Sequence, residues 1–327
     1  MIENPQQSVQ AQQLIDQAFH NLKIAKKDSH KGQNGKLLII GGSKLFHAAS
    51  KWSLEVASKI VDMVFYSSVP SNNRLIKKWI SAELDHQLTQ AVKENFWQGI
   101  VIDRRQIEDY LDEADCILLG PGMERTNYTA KLSNKLLKKF PQKKWVIDAG
   151  ALQMVDPHLL SQNCIITPHQ QEMDILVQKN QGFAPNNYQA LPICLLKGPV
   201  DRILISKNHS LSTKTTLIEI TGGNAGMTKG GTGDVLAGLL AALYCQNDAL
   251  TSTIIASYIN KKAGDSLYKS VGPYFNASDL VAKIPQVLWE TLHSRESLKN
   301  QENQVEYLHS FGDSLIILAR KRSGKTL

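Results

Sequence analysis

The residues best suited to chemistry lie in the run Asn224-Ala-Gly-Met-Thr-Lys-Gly-Gly-Thr-Gly-Asp-Val-Leu-Ala-Gly238. Glycines 230, 231 and 233 let a backbone turn sharply and aim its N–H groups into one cavity. A helix starting near Asp234 directs its positive dipole end at the same place. Together they make an anion hole suited to phosphoryl oxygens, with the N–H groups of Gly231, Thr232 and Gly233 as donors. Asp234 stands in the helix's first turn, where a carboxylate takes a proton from a substrate hydroxyl. Helix capping by Thr232 or Asp234 explains part of this pattern. Capping does not need three glycines in four positions, so phosphate binding accounts for the run better.

Other candidates sit where short apolar runs end. Gly41, Gly42 and Ser43 close one such run, and Gly120-Pro-Gly122 closes another. At a strand's carboxyl end such glycines let backbone approach a ligand, although a bare tight turn has the same composition. Asp148 follows Trp145-Val-Ile147, where a carboxylate holds a hydroxyl or hydrated Mg²⁺, or caps the next segment. His169 and Glu172, three apart after Pro168, share one side of a helix's first turn. A helix start capped by Thr167 with Pro168 in the first turn explains the same residues. His-x-x-Glu lacks zinc spacing. Lys197-Gly198 follows an apolar run, where the lysine reaches a nucleotide phosphate as a point charge, or is simply solvated. Two patterns fail: the tail Ser323-Gly-Lys-Thr326 has Ala319 where a P-loop needs its first glycine, and no G-x-G-x-x-G turn occurs.

These residues need a scaffold. Apolar runs at 36–40, 62–67, 115–119, 145–147, 164–166, 193–196 and 202–206 read as strands. Helical spacing occupies 48–59, 127–140 and 171–178, and 234–244, 250–268 and 278–293 read as consecutive helices. Continuous apolar strands separated by helices predict a mostly parallel sheet covered on both faces, a three-layer α/β/α fold. The run 211–220 alternates with Thr and Lys, which predicts a hairpin or edge strands. One domain over 29–293 fits, preceded by a 1–28 extension with a helix at 9–24. It is followed by a 294–327 extension in which 314–319 is one more strand or helix.

Composition narrows the class. The 327 residues are 42% hydrophobic and 20% charged, as in a globular protein rather than a disordered one. No apolar run reaches bilayer length, and the polar start has no secretory core, so the expectation is a cytoplasmic protein. Cys116, Cys164, Cys194 and Cys245 form no C-x-x-C pair and read as reduced core thiols. The net charge of +7 permits nucleic-acid binding, but no aromatic-interleaved basic patch accompanies it. An enzyme with phosphate-bearing substrates suits that charge equally.

The run Gly230-Gly-Thr-Gly-Asp-Val-Leu-Ala-Gly238 resembles the phosphate-loop signature of the ribokinase-like superfamily. With His30-Lys-Gly through Gly41-Gly-Ser43, Gly120-Pro-Gly122, Asp148-Ala-Gly-Ala-Leu152, Thr167-Pro-His-Gln-Gln-Glu172 and Leu196-Lys-Gly-Pro-Val-Asp201, it resembles the ADP/ATP-dependent NAD(P)HX dehydratases. The resemblance covers roughly residues 29–288 and rests on motif order and spacing. It implies a ribokinase-like fold and dehydration of hydrated NAD(P)H at the expense of ADP or ATP, with Mg²⁺ carried by the nucleotide. It implies Asp234 as base, with Ala49, Gly122, His169 and Asp234 facing the hydrated cofactor. Asp148 and Glu172 join that side or hold Mg²⁺ through water. Lys197, Gly198, Pro199, Val200, Asp201, Asn224, Gly230 and Gly233 would face the nucleotide. A homo-oligomer and a separate NAD(P)HX epimerase are further expectations, with no nucleic-acid or membrane partner. The chain departs from the family pattern at Lys44-Leu-Phe-His-Ala48, at Gln170-Gln171 and at Met123-Glu124, which bears on the substrate side. Two other readings share the phosphate loop: a ribokinase-like kinase of a small alcohol such as a thiamine precursor, and a non-catalytic nucleotide or nucleic-acid binder.

Overall fold

The computed structural model describes residues 5–77, 99–179, 192–205 and 216–295. The chain divides into two compact units, Met1–Pro285 and Gln286–Leu327, and the candidate site lies in the first. In the second unit residues 286–295 are helical. The expected element at 314–319, the tail basic run and positions 206 and 211–215 lie outside the described residues.

Among the described residues nine strands form one sheet: β1 (Lys36–Ile40), β2 (Met63–Ser67), β3 (Ile100–Val101), β4 (Cys116–Leu119), β5 (Lys144–Ile147), β6 (Cys164–Ile166), β7 (Ile193–Leu196), β8 (Asp201–Ile205) and β9 (Thr216–Ile220). Their spatial order is β3-β2-β1-β4-β5-β6-β7-β8-β9. Pairing is parallel from β3 to β7, and β8 and β9 then add antiparallel. The chain runs outward from β1 to β3 and then restarts at β4 on the other side of β1. The glycine turns after β1 and β4 therefore flank a crevice where the direction of winding changes, the usual ligand position in such sheets.

The helices are α1 (Pro5–Asn21), α2 (His47–Ala57), α3 (Pro70–Lys77), α4 (Ile107–Leu111), α5 (Asn127–Lys139), α6 (Ala149–Met154), α7 (Gln170–Lys179), α8 (Thr232–Gln246) and α9 (Ala249–Val271). Strand alternation divides the core between two faces. Leu38, Ile40, Ile117, Leu119, Trp145 and Ile147 join a core built with α4 to α7. Leu37, Ile39, Cys116, Leu118 and Val146 are as deeply buried on the face carrying α2, α8 and α9. This double burial is why the strands read as unbroken apolar runs rather than alternating ones. Helix α8 is apolar nearly all round, with Val235 to Cys245 buried throughout, because it is packed by α2 and α9 as well as by the sheet.

Several boundaries differ from expectation for local reasons. Helix α1 spans Pro5–Asn21 rather than 9–24. Its Ile15, Ala18 and Phe19 are buried, and Phe19 meets Tyr258 of α9 edge-on at 5.5 Å. Strand β3 has two residues and α4 five, too few for a periodic signal. All four cysteines are buried free thiols. No helix among the described residues is long and apolar enough to cross a membrane.

Candidate active site

Helix α8 begins at Gly231, its N-cap, with φ of +97°. A side chain there would be strained, and its Cβ would lie 2.3 Å from the Trp52 ring. Gly230 is different: its φ lies outside the left-handed range and a Cβ would meet nothing within 4 Å. The expectation that all three glycines shape the loop is thus narrowed, since Gly231 makes the turn and Gly233 keeps space open. A Cβ on Gly233 would sit 3.5 Å from Lys197 Nζ. The Thr232 hydroxyl donates to the carbonyls of Met227 (2.7 Å) and Lys229 (3.0 Å), so this side chain holds the loop. Gly231→Ala is therefore expected to cost about 3 kcal/mol from left-handed strain and overpacking. Gly230→Ala should stay within about 0.5 kcal/mol. Urea unfolding midpoints measure both, and equal losses would contradict the division of roles.

Asp148 ends β5 and is 1% exposed. Its Oδ1 accepts from Thr167 Oγ1 at 2.7 Å and from Lys197 Nζ at 2.8 Å. It precedes α6 but makes no side-chain cap bond, so capping is not its role. The next residue, Ala149, is the one described non-glycine in the left-handed region, with φ of +46°. Strain of this kind is held where surrounding structure fixes a functional backbone. Thr167, expected as a helix cap, is drawn to Asp148 because the register Ile147↔Ile166 sets the two residues side by side. The cap of α7 is His169 instead. Its N–H donates to Glu172 Oε2 at 3.0 Å, and its Nδ1 accepts from the Glu172 N–H at 3.3 Å, a reciprocal box. Glu172 Oε1 accepts from Gln153 Nε2 at 2.9 Å, so both carboxylate oxygens have partners.

Lys197 links these groups to α8. Burial alone would lower its pKa, but Asp148, Glu172 and Asp234 hold it above the ordinary lysine value. Asp234, half-buried in the first turn of α8, is pushed up to about 7. Burial is the main cause, helped by the negative charge of Asp148 and Glu172 and opposed by Lys197. Three carboxylates thus share the field of one lysine.

A cavity of about 690 Å³ opens beside this cluster, lined by His169, Lys197, Gly198, Pro199, Asp201, Gly233 and the 222–225 turn among others. Its size suits a mononucleotide. Two expected nucleotide residues, Asp201 and Asn224, line this cavity and are also bonded into its loops. Asp201 Oδ1 accepts from the Gly198 N–H at 3.0 Å and Oδ2 from Ser257 Oγ at 2.7 Å. Asn224 accepts from the Gly226 N–H at 3.0 Å and donates to Asp265 at 2.9 Å. Val200 and Gly230 are not part of the cavity wall. Lys261 of α9 was not anticipated: it is buried, and its Nζ donates to the carbonyls of Gly198 (3.0 Å), Pro199 (3.0 Å) and Gly222 (3.2 Å). One ammonium ties two loops of the cavity rim together. The sequence Lys261-Lys262 offered no means of telling the buried lysine from its exposed neighbour.

On the other side of α8, Gly122 (φ +71°) packs against α2. A Cβ on it would lie 2.4 Å from the Phe46 carbonyl and 3.0 Å from Ala49 Cβ. Ala49 and Gly122 are therefore neighbours. Ser53, one turn along α2 from Ala49, donates to the Asp234 carbonyl at 2.8 Å. His169 falls on the wall of the 690 Å³ cavity. The departures at Lys44, Leu45 and Phe46 form an exposed turn before α2.

A sheet with this winding, a glycine turn into α8 and a carboxylate–lysine cluster beside a nucleotide-sized cavity define a ribokinase-like α/β protein. The solved structure of a ribokinase-like superfamily protein from Enterococcus faecalis shares the fold, with a TM-score of 0.67 at 22% identity over 84% of this chain and 94% of that one. The chain belongs to the NAD(P)H-hydrate dehydratase family, whose family model matches residues 37–286. It is 38% identical to the bifunctional NAD(P)H-hydrate repair enzyme Nnr of Methanocaldococcus jannaschii, over 82% of this chain and 51% of that protein. It is 30% identical to the ADP-dependent (S)-NAD(P)H-hydrate dehydratase of Cenarchaeum symbiosum, over 80% of this chain and 91% of that protein. The chain spans about half the length of the bifunctional relatives it matches.

Proposed function

We propose that this chain dehydrates hydrated NADH or NADPH at the expense of ADP or ATP. The hydroxyl oxygen on the hydrated ring attacks the terminal phosphoryl group. The phosphoanhydride bond breaks to release AMP from ADP or ADP from ATP, and the hydroxyl proton passes to Asp234. The resulting ester expels phosphate as the ring C–O bond breaks. The adjacent ring carbon loses a proton, restoring the double bond. The observation that carries this reading is Asp234 itself: a carboxyl raised to about 7, in the same helical turn as Gly233 and within the field of Lys197. A base of that pKa is matched to proton transfer near neutral pH. Similarity to the ADP-dependent (S)-NAD(P)H-hydrate dehydratase of Cenarchaeum symbiosum supports the same chemistry and favours ADP as donor.

The donor set fits a hydrated Mg²⁺ delivered with the nucleotide. Both Glu172 oxygens and one Asp148 oxygen already have partners, which leaves these groups to act through water. Asp148, Glu172 and Asp234 share the field of Lys197, a local excess of negative charge that favours one more cation. Bound there, Mg²⁺ would neutralise nucleotide phosphate charge during phosphoryl transfer. The N–H groups of α8's first turn and Lys197 would meet the transferring phosphoryl group, while Ala49 and Gly122 flank the hydrated ring. Assembly as a homo-oligomer and supply of the reactive epimer by a separate NAD(P)HX epimerase complete the reading.

The test follows near-ultraviolet absorbance of the dihydronicotinamide ring while purified protein acts on hydrated NADH and hydrated NADPH, with ADP and ATP added in turn. Regain of absorbance that depends on nucleotide is the expected result. Accumulation of a phosphorylated product without regain would replace dehydration by a simple kinase reaction.

A further inference from the structure

Asn260 lies on α9 directly before Lys261 and forms part of the cavity wall. It is 4% exposed, yet its amide oxygen has no hydrogen-bond partner among the described residues. Polar side chains around it are engaged. Lys261 donates to three carbonyls, Asp201 accepts from Gly198 and Ser257, and Asn224 is tied to Asp265. A buried amide without a partner is rare in folded proteins unless another molecule completes it. The wall also carries apolar Pro199, Met227 and Leu236. Met227 is pressed against α9 at Gly264, one turn beyond Asn260, since a Cβ there would lie 2.3 Å from its sulfur. Lys197 and Gly233 supply the cationic and N–H groups that phosphates require. Asn260 offers this wall a side-chain amide whose oxygen has no partner among the described residues.

We propose that Asn260 reads the base of the nucleotide and selects adenine through its N6–H and N7 edge. An amide presents one acceptor beside one donor. Adenine's N6–H and N7 complement that pair, whereas hypoxanthine and guanine present two acceptors, O6 and N7. Turning the amide over does not help, because one of its two atoms then still lacks a match. The apolar side chains hold the ring's faces, and Asn260 fixes its edge. This assignment rests on the nucleotide reading given above and names the specificity of that cavity.

The experiment compares binding of ADP and inosine diphosphate by calorimetry, in the wild-type protein and in Asn260→Leu. Calorimetry needs no turnover and so separates base reading from dehydration. The wild type should prefer ADP about tenfold, the range of one paired amide contact to adenine. In Asn260→Leu the preference should fall to near unity. A purely structural role for Asn260 would weaken both nucleotides equally and preserve the ratio, which overturns the proposal. Equal binding of the two by the wild type overturns it as well, while leaving the dehydratase reading intact. Binding of neither nucleotide would overturn both. A 7-deaza-ADP control should behave as inosine diphosphate does, since it lacks the N7 acceptor.

Discussion

Asp234→Asn is expected to lower turnover about 10²–10⁴-fold while the protein stays folded. The side chain is half-buried at a helix start, and Asn keeps its shape and its ability to accept from nearby N–H groups. What it loses is the capacity to take a proton. In the wild type, kcat/KM should fall as pH drops through about 7, because the base is then protonated. Stability moves in the opposite sense. The folded-state pKa lies above the ordinary value of 3.8, so Asp234 favours the fold at low pH, and that contribution disappears as pH rises through about 7. The Asn variant should therefore melt higher than the wild type above neutrality, with the gap closing in acid. A folded Asp234→Asn protein with full turnover would remove Asp234 from the chemistry.

Lys197→Met should lower both stability and rate. It leaves the Asp148 carboxylate, 1% exposed, with Thr167 as its remaining side-chain donor. Breaking a buried pair on one side costs about 3–5 kcal/mol unless the carboxylate takes up a proton. Asp234 loses a cation that restrains its pKa, so the acid limb of the rate profile should move alkaline. With Lys197 in its proposed role toward the transferring group, loss of its charge should lower kcat by about 10²–10³. Lys197→Met combined with Asp148→Asn should recover most of the stability but not the rate, a coupling that a double-mutant cycle resolves. If the double variant is no more stable than the single one, the buried pair does not carry the stability loss.

The scaffold was legible where burial on both faces forces continuous apolar strands. The bounds of β1, β6 and β7 follow directly from the runs KLLII, CII and ICLL. The antiparallel edge at β9 was legible through the alternation that runs into Leu217-Ile-Glu-Ile220, because one side of an edge strand faces water. Strand β3 was not, since two residues carry no period. At the site, the types and order of the motifs pointed to Asp148, Lys197 and Asp234, but their bonding could not be read locally. Thr167 meets Asp148 only because β5 and β6 are neighbours in a particular register. His169 and Glu172 were placed correctly in one helical turn, yet their reciprocal capping depends on where α7 starts. Lys261 was not legible because its hydrogen bonds go to backbone carbonyls and its ion-pair partner, Asp201, is remote in the sequence.

The bonds made by Lys261 also set an order of events. The motif at Lys197–Asp201 leaves a ribosome some sixty residues before the helix that completes it, a delay of several seconds at about 5–20 residues per second. Until α9 docks, the carbonyls of Gly198, Pro199 and Gly222 lack their shared donor, and Asn224 lacks Asp265. The nucleotide-sized cavity thus cannot be complete until the C-terminal part of the first unit has been made. A nascent chain that stalls before residue 265 would carry Asp148, Lys197 and Asp234 and still have no finished place for a nucleotide. The proposed use of ADP or ATP thus depends on one of the last helices made.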